Sequence, residues 1–114
     1  MQRRVEPEED RAGFCHWVFY NPTLREGSGL GIYLRYPRKQ LPYFNLWKRL
    51  NCREYVVGFE PGNCTVQGRL KQRERGDLRC LAPQEKADYH LEIGVLSSHA
   101  ELQRFVEDHG LRAL

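Results

Sequence analysis

Apolar residues along the chain fall into short runs rich in β-branched and aromatic side chains, and turn-forming residues separate these runs. The pattern is typical of β-strands. Strands are predicted over residues 14–20, 30–36, 40–48, 55–60, 78–81 and 89–96. The breaks fall at Asn21-Pro22, Pro37 and Glu60-Pro61-Gly62-Asn63, where proline, glycine and asparagine favour turns. Five or six strands with so little helical signal predict an all-β fold.

Alternation within the runs predicts which side chains share a face of a sheet. In the second run Leu30, Ile32 and Leu34 lie on one face, and Tyr33 and Arg35 lie on the other. The third and the last runs alternate in the same way. Their predicted faces are Tyr43, Asn45 and Trp47 against Phe44, Leu46 and Lys48, and Leu91, Ile93 and Val95 against His90, Glu92 and Gly94.

The end of the chain changes from a strand period to a helical one. Ser98 and Glu101 have the spacing of a capping box, and Gly110 stands where a helix commonly ends. Apolar residues between them recur at helical spacing. The sequence therefore predicts a short amphipathic helix over residues 98–110 and a tail over 111–114.

Two charged segments carry no period. Residues 1–12 are charged and contain Pro7, so they are predicted to form a flexible arm. Residues 68–77 are charged with glycine at both ends, so a solvated connection is predicted there. Residues 13–97 then form the β-sandwich portion.

Composition and charge narrow the class of protein. The chain has 114 residues, enough for one core, and its net charge of +3 is too close to neutral to indicate nucleic-acid binding. No run approaches the roughly 18 apolar residues of a membrane-spanning helix. The N-terminus also lacks the apolar region of a secretory signal. We therefore expect a cytoplasmic protein that binds neither nucleic acid nor membrane.

Four cysteines stand at 15, 52, 64 and 80, without a Cys-x-x-Cys pair. Structural zinc sites usually contain such a pair, so a metal is not expected. Without a secretory signal, reduced and mostly buried thiols are favoured over two disulfides. The histidines at 16, 90, 99 and 109 show no zinc-ligand spacing either, and the last two are interpreted as structural residues of the helix.

Three groups of residues are candidates for chemistry. Glu60 ends a predicted strand just before Pro61, where a half-shielded carboxylate suits a general base, although a solvated charge is the alternative. Trp47 and Lys48 pair an indole with a cation, as sugar sites often do, although a core tryptophan beside a surface lysine fits as well. Arg35 either hydrogen-bonds a polyol or reaches solvent.

These segments resemble a known family. The stretches 30–36, 40–48, 55–64 (Tyr55-Val56-Val57-Gly58-Phe59-Glu60-Pro61-Gly62-Asn63-Cys64), 68–69 and 89–96 are similar to the C-terminal part of uncharacterised bacterial relatives of aldose 1-epimerase (galactose mutarotase). The resemblance implies part of a β-supersandwich with a shallow sugar site and no metal or other cofactor. Glu60 matches the glutamate that removes the anomeric proton in those enzymes. The predicted substrate-binding residues are Arg35, Gln40, Trp47, Lys48 and Asn63.

The chain departs from that family in one important respect. The family's acid histidine lies well upstream of the glutamate, and His16 is too near Glu60 to match it. The chain thus resembles only the C-terminal portion of the longer domain. We expect an aldose-1-epimerase-like fragment that binds an aldose or a derivative, with weak or no activity alone. The alternatives are a carbohydrate-binding module without chemistry and a structural remnant that acts with a partner chain or by self-association.

Overall fold

A computed structural model describes residues 2–112, and for residues 2–5 it describes the backbone. It contains two antiparallel sheets of three strands each and two helices within these residues. The elements in chain order are β1 (Gln2–Val5), β2 (Phe14–Asn21), β3 (Leu30–Pro37), β4 (Tyr43–Asn51), β5 (Glu54–Gly62), α1 (Arg69–Arg75), β6 (Glu92–Leu96) and α2 (His99–His109). The prediction of an all-β fold with a short C-terminal helix is confirmed.

The chain divides into two compact units, each with its own sheet. The first unit comprises residues 2–8 and 38–89, and its strands lie in the order β1-β4-β5. Phe44 and Leu46 of β4 are buried, and the Phe59 ring meets Phe44 edge-on at 5.6 Å. In α1 the buried Gln72 side chain donates a hydrogen bond to the Thr65 carbonyl at 3.0 Å, which fixes this helix to the loop before it.

The second unit comprises residues 9–37 and 90–112, with strand order β2-β3-β6. Cys15 and Tyr36 face each other across β2 and β3 and are fully buried. The indole N–H of Trp17 donates to the Tyr36 hydroxyl at 2.7 Å. On the opposite face of this sheet α2 contributes Phe105, whose ring lies 4.9 Å from that of Tyr33.

The capping of α2 agrees with the prediction from the sequence. The Ser98 hydroxyl accepts the Glu101 backbone N–H at 3.2 Å. The Glu101 carboxylate in turn accepts the Ser97 N–H at 2.6 Å, one residue before the N-cap. The backbone N–H and the hydroxyl of Ser97 both donate to this carboxylate and lower the pKa of Glu101. Gly110 ends the helix in the left-handed conformation.

Other predictions about elements were wrong. The predicted arm over residues 1–12 contains β1, whose backbone pairs with β4, so part of this charged segment is a strand. Met1 lies outside the described residues. The connection over 68–77 contains α1, and its two glycines are the helix caps. No strand forms over 78–81, and the last strand begins only at Glu92. Of the predicted tail, residues 113–114 lie outside the described part of the chain.

The burial of the second sheet agrees only in part with the expectation from its alternation. Ile93 and Val95 of β6 lie on one side as predicted, but they are exposed, and so is Ile32. Leu91 is also exposed and lies before the strand. The face that α2 contacts is the less apolar one, where the rings of Tyr20 and Tyr33 lie over Gly31 and Gly94. The other face is buried at Cys15, Leu34 and Tyr36 and exposed at Ile32, Ile93 and Val95. Exposed apolar patches often mark interaction surfaces, so this face is compatible with the predicted association, which stays a prediction.

Two further expectations can be compared with the structure. All four cysteines are free, but only Cys15 is buried, so the prediction of mostly buried thiols was wrong. Within residues 2–112, neither helix has the length and apolar content needed to cross a membrane. The packing of the two sheets as a sandwich stays a prediction.

Candidate functional site

Glu60 lies on β5 directly opposite Asn45 of β4 in the first sheet. Trp47 shares their face, because it is two residues along the strand from Asn45 and pairs with Gly58, two residues before Glu60. The predicted half-shielding of Glu60 was wrong, since its side chain is exposed. The ladder nevertheless brings a carboxylate, an amide and an indole together on one face. We call this set, Asn45, Trp47 and Glu60, the Glu60 face.

Gly58 leaves a gap in the Glu60 face. A Cβ atom at this position would lie 3.0 Å from Oε1 of Glu60 and 3.6 Å from Cβ of Trp47. The carboxylate therefore bends back along its strand toward the base of the indole. Glycine in a strand often marks a place where another group approaches the backbone closely.

Asn45 forms the buried part of the Glu60 face. Its residue is only 4% exposed, and its side-chain oxygen finds no hydrogen-bond partner among the described residues. A buried acceptor without a partner carries a free-energy cost that well-packed proteins usually avoid. This acceptor lies across the ladder from the Glu60 carboxylate.

The other predicted site residues of the first unit do not join the Glu60 face. Lys48 lies on the opposite face from Trp47, because neighbouring strand residues alternate, so the predicted Trp47–Lys48 pairing does not form one surface. Lys48 instead lines an open concavity of about 330 Å³ with Arg49, Leu50 and Asn51. Gln40 lies in the turn before β4. Asn63 donates a hydrogen bond to the Tyr89 hydroxyl at 2.8 Å.

Arg35 belongs to the second unit, on β3. Its guanidinium lies over the Phe14 ring, 3.8 Å from the centroid. One of its nitrogens is 3.7 Å from the Glu92 carboxylate, which also accepts the Tyr33 hydroxyl at 2.9 Å. That hydrogen bond raises the pKa of Tyr33. Arg35 is therefore engaged in contacts within its own unit.

The second unit contains a polar cluster that the sequence did not predict. His16 on β2 is buried, and its Nε2 lies 2.9 Å from Oδ2 of Asp10. The His109 ring, at the end of α2, stacks on the His16 ring with centroids 3.7 Å apart and 15° between planes. Phe105 contacts both imidazoles edge-on. We call Asp10, His16 and His109 the histidine cluster.

Hydrogen bonds and burial set the charges of the histidine cluster. The hydrogen bond from His16 and the backbone N–H of Phe14 lower the pKa of Asp10 to about 2. Burial, together with the neighbouring His16, lowers the pKa of His109. The carboxylate is therefore ionised in neutral solution, and the proton on His109 is disfavoured.

The sequence carried only weak signals for this cluster. His109 occupies the last position of the apolar stripe of α2, and His16 lies in a strand dense in aromatic residues. Asp10 lies in the segment interpreted as a flexible arm. The turn before β2 brings Asp10 to His16, and only the docking of α2 adds His109.

Comparison with known proteins gives a family but no function. No curated protein and no solved structure matches the chain. Residues 3–95 match the family described as a domain of unknown function, DUF4432. This match spans both sheets and the whole Glu60 face, and the chain therefore belongs to the DUF4432 family.

Proposed function

We propose that the protein binds an aldose or a sugar derivative on the Glu60 face, as an aldose-1-epimerase-like fragment with Glu60 in the role of general base. The observation that carries the proposal is the placement of Asn45, Trp47 and Glu60 on one face beside the gap at Gly58. The resemblance of the sequence to mutarotase relatives supports the same assignment for Glu60.

Each group on this face suits one part of a sugar. The apolar C–H face of a pyranose can lie against an indole, and the sugar's hydroxyls need acceptors such as a carboxylate. Glu60 is exposed, so a bound ring can reach its carboxylate without displacing protein groups. The buried oxygen of Asn45, which lacks a partner among the described residues, can take a hydrogen bond through a bound water.

Anomer exchange also needs an acid for the ring oxygen. The first unit contains no histidine, since the four histidines stand at 16, 90, 99 and 109. A base without its paired acid forgoes part of the rate enhancement that general acid–base catalysis supplies. We therefore expect binding with slow anomer exchange rather than the rate of a complete enzyme.

The enzymatic part is tested by NMR-monitored anomer exchange of a panel of aldoses. Wild type is expected to exceed buffer, and Glu60→Gln is expected to return to the buffer rate. Glu54→Gln is the matched control, because Glu54 lies on the same strand and face as Glu60 but at the hairpin end. Equal rates for wild type, Glu60→Gln and buffer would remove the catalytic part of the proposal.

The binding part is tested by ligand-observed NMR with the same sugars. We expect wild type to bind sugar and Trp47→Ala to lose this binding. Lys48→Ala should retain it, because the Lys48 side chain lies on the other face. Binding without exchange would identify a carbohydrate-binding module. No contact in wild type, or the same contact in Trp47→Ala, would exclude the Glu60 face as a sugar site.

A further inference from the structure

The histidine cluster lies outside the proposed sugar site and has the composition of a metal site. One ring nitrogen from each histidine and one carboxylate oxygen of Asp10 lie within 4.8 Å of one another. We propose that Asp10, His16 and His109 bind one divalent transition-metal ion, with Zn²⁺ as the preferred ion. Three protein ligands leave a fourth tetrahedral position open for water, as in catalytic zinc sites.

The donor atoms decide the class of metal. Imidazole nitrogen suits zinc and its transition-metal neighbours, whereas Mg²⁺ and Ca²⁺ prefer sites made of oxygen. The cluster offers two imidazoles and one carboxylate, so it should discriminate strongly against Mg²⁺.

Asp10 is positioned as a ligand by its own backbone. Its Oδ1 accepts the N–H groups of Ala12 and Phe14 at 2.8 and 3.0 Å. These bonds direct the other oxygen, Oδ2, toward His16. Hydrogen bonds that orient a ligand in this way are a regular feature of metal sites.

The surroundings of His16 independently indicate a binding site. The residue is only 8% exposed, and its Nδ1 finds no hydrogen-bond partner within the described part of the chain. When only one nitrogen of a buried imidazole has a hydrogen-bond partner, the ring contributes less to stability than an apolar ring of the same shape. A role in binding gives a reason for a histidine at this buried position.

His109 is the ligand that must move. The lone pairs of stacked rings run side by side, so one ring has to turn before both nitrogens reach an ion at about 2.0–2.1 Å. His109 is half-buried and is the last residue of α2, just before the left-handed Gly110. Metal binding should therefore replace the stacked pair and change the NMR signals of the His109 ring.

The test uses the full chain with Cys52, Cys64 and Cys80 changed to serine, because exposed thiols also bind zinc. After chelator treatment the protein is titrated with Zn²⁺, Co²⁺ and Mg²⁺ by calorimetry and absorption. We expect one Zn²⁺ per chain, the visible spectrum of four-coordinate Co²⁺, and no Mg²⁺ binding.

Variants locate the ion. His109→Phe keeps a ring against His16 but removes the nitrogen, and Asp10→Asn weakens the carboxylate ligand. Each should reduce Zn²⁺ affinity by at least the roughly 10–100-fold that loss of a group supporting a ligand costs. His99→Ala, at the other end of α2, is the matched control and should bind as wild type does. Circular dichroism checks the fold of each variant. Absence of Zn²⁺ binding in the serine background, or equal affinity in folded His109→Phe, would overturn the proposal.

Discussion

The Glu60 face and the histidine cluster are assembled in different ways. The Glu60 face comes from two consecutive strands, β4 and β5, so strand alternation and the register of a single hairpin place Asn45, Trp47 and Glu60 together. The histidine cluster combines a turn, a strand and the end of the last helix, from positions 10, 16 and 109. The first is local in sequence and carries its carboxylate in solvent, whereas the second is centred on a buried histidine and depends on long-range packing. Substitutions beside a solvent-exposed side chain are absorbed more readily than substitutions beside closely packed rings.

The largest expected effect comes from a comparison of two glycines, one in each sheet. In the second sheet a Cβ at Gly94 would meet the Tyr33 ring, which Phe105 and Glu92 hold in place. We expect Gly94→Ala to lower the free energy of unfolding by about 2 kcal/mol, as overpacking of a core does. Chemical denaturation with chelator present measures this change.

Gly58→Ala is the counterpart in the first sheet. The new methyl group would meet the free end of the Glu60 side chain, which can turn toward solvent. Stability should stay within about 0.5 kcal/mol of wild type. Sugar binding should weaken, because the gap in the Glu60 face is filled. An equal loss of stability in both glycine variants would contradict the contrast between the two regions.

A second contrast compares two tyrosine hydroxyls. Tyr36 is fully buried, its burial raises its pKa, and it accepts the Trp17 indole N–H. Tyr36→Phe removes this acceptor in a place that water does not reach, so a loss of about 1–2 kcal/mol is expected. Tyr89→Phe removes an exposed partner of Asn63 and should cost less than about 0.5 kcal/mol. Thermal unfolding of both variants measures the difference, and equal shifts would refute it.

The cap of α2 gives a smaller effect that is confined to the second unit. Ser98→Ala removes the acceptor for the Glu101 N–H and should cost about 1 kcal/mol, whereas Ser98→Asp should retain the cap. Each unit has one tryptophan, Trp17 in the second and Trp47 in the first. A Trp47→Phe background therefore reports the second unit through Trp17. No shift of that signal in Ser98→Ala would show that the cap does not stabilise the helix.

The last expected effect is the acid dependence of the histidine cluster. The folded-state pKa of Asp10, about 2, lies below its ordinary value of 3.8. The carboxylate therefore contributes stability above about pH 3.8, and this contribution is lost as the pH falls from there toward 2. Unfolding midpoints of metal-free wild type and Asp10→Asn should converge over this range. A constant difference between the two proteins would exclude the Asp10–His16 interaction as its source.

Local chemistry explains which parts of the fold could be predicted from the sequence. The strands at 14–20, 30–36 and 55–60 and the capped helix were predicted because their residues have strong local preferences. The strand Gln2–Val5 was missed because charged residues on a strand resemble a solvated segment, and only pairing with β4 reveals it. The helix Arg69–Arg75 was missed because its glycines were interpreted as turn residues, although Gly76 adopts the left-handed conformation of a helix end.

The sequence by itself determined the all-β class, the terminal helix and the placement of Asn45 and Trp47 on one face of their strand. These features depend on strand and helix periods, which neighbouring residues set. Only the tertiary structure decided that α2 covers the tyrosine face and leaves Ile32, Ile93 and Val95 exposed. It also decided that His109 reaches His16 and Asp10. Such contacts depend on which faces pack together, and alternation along a strand does not specify which face a helix will cover.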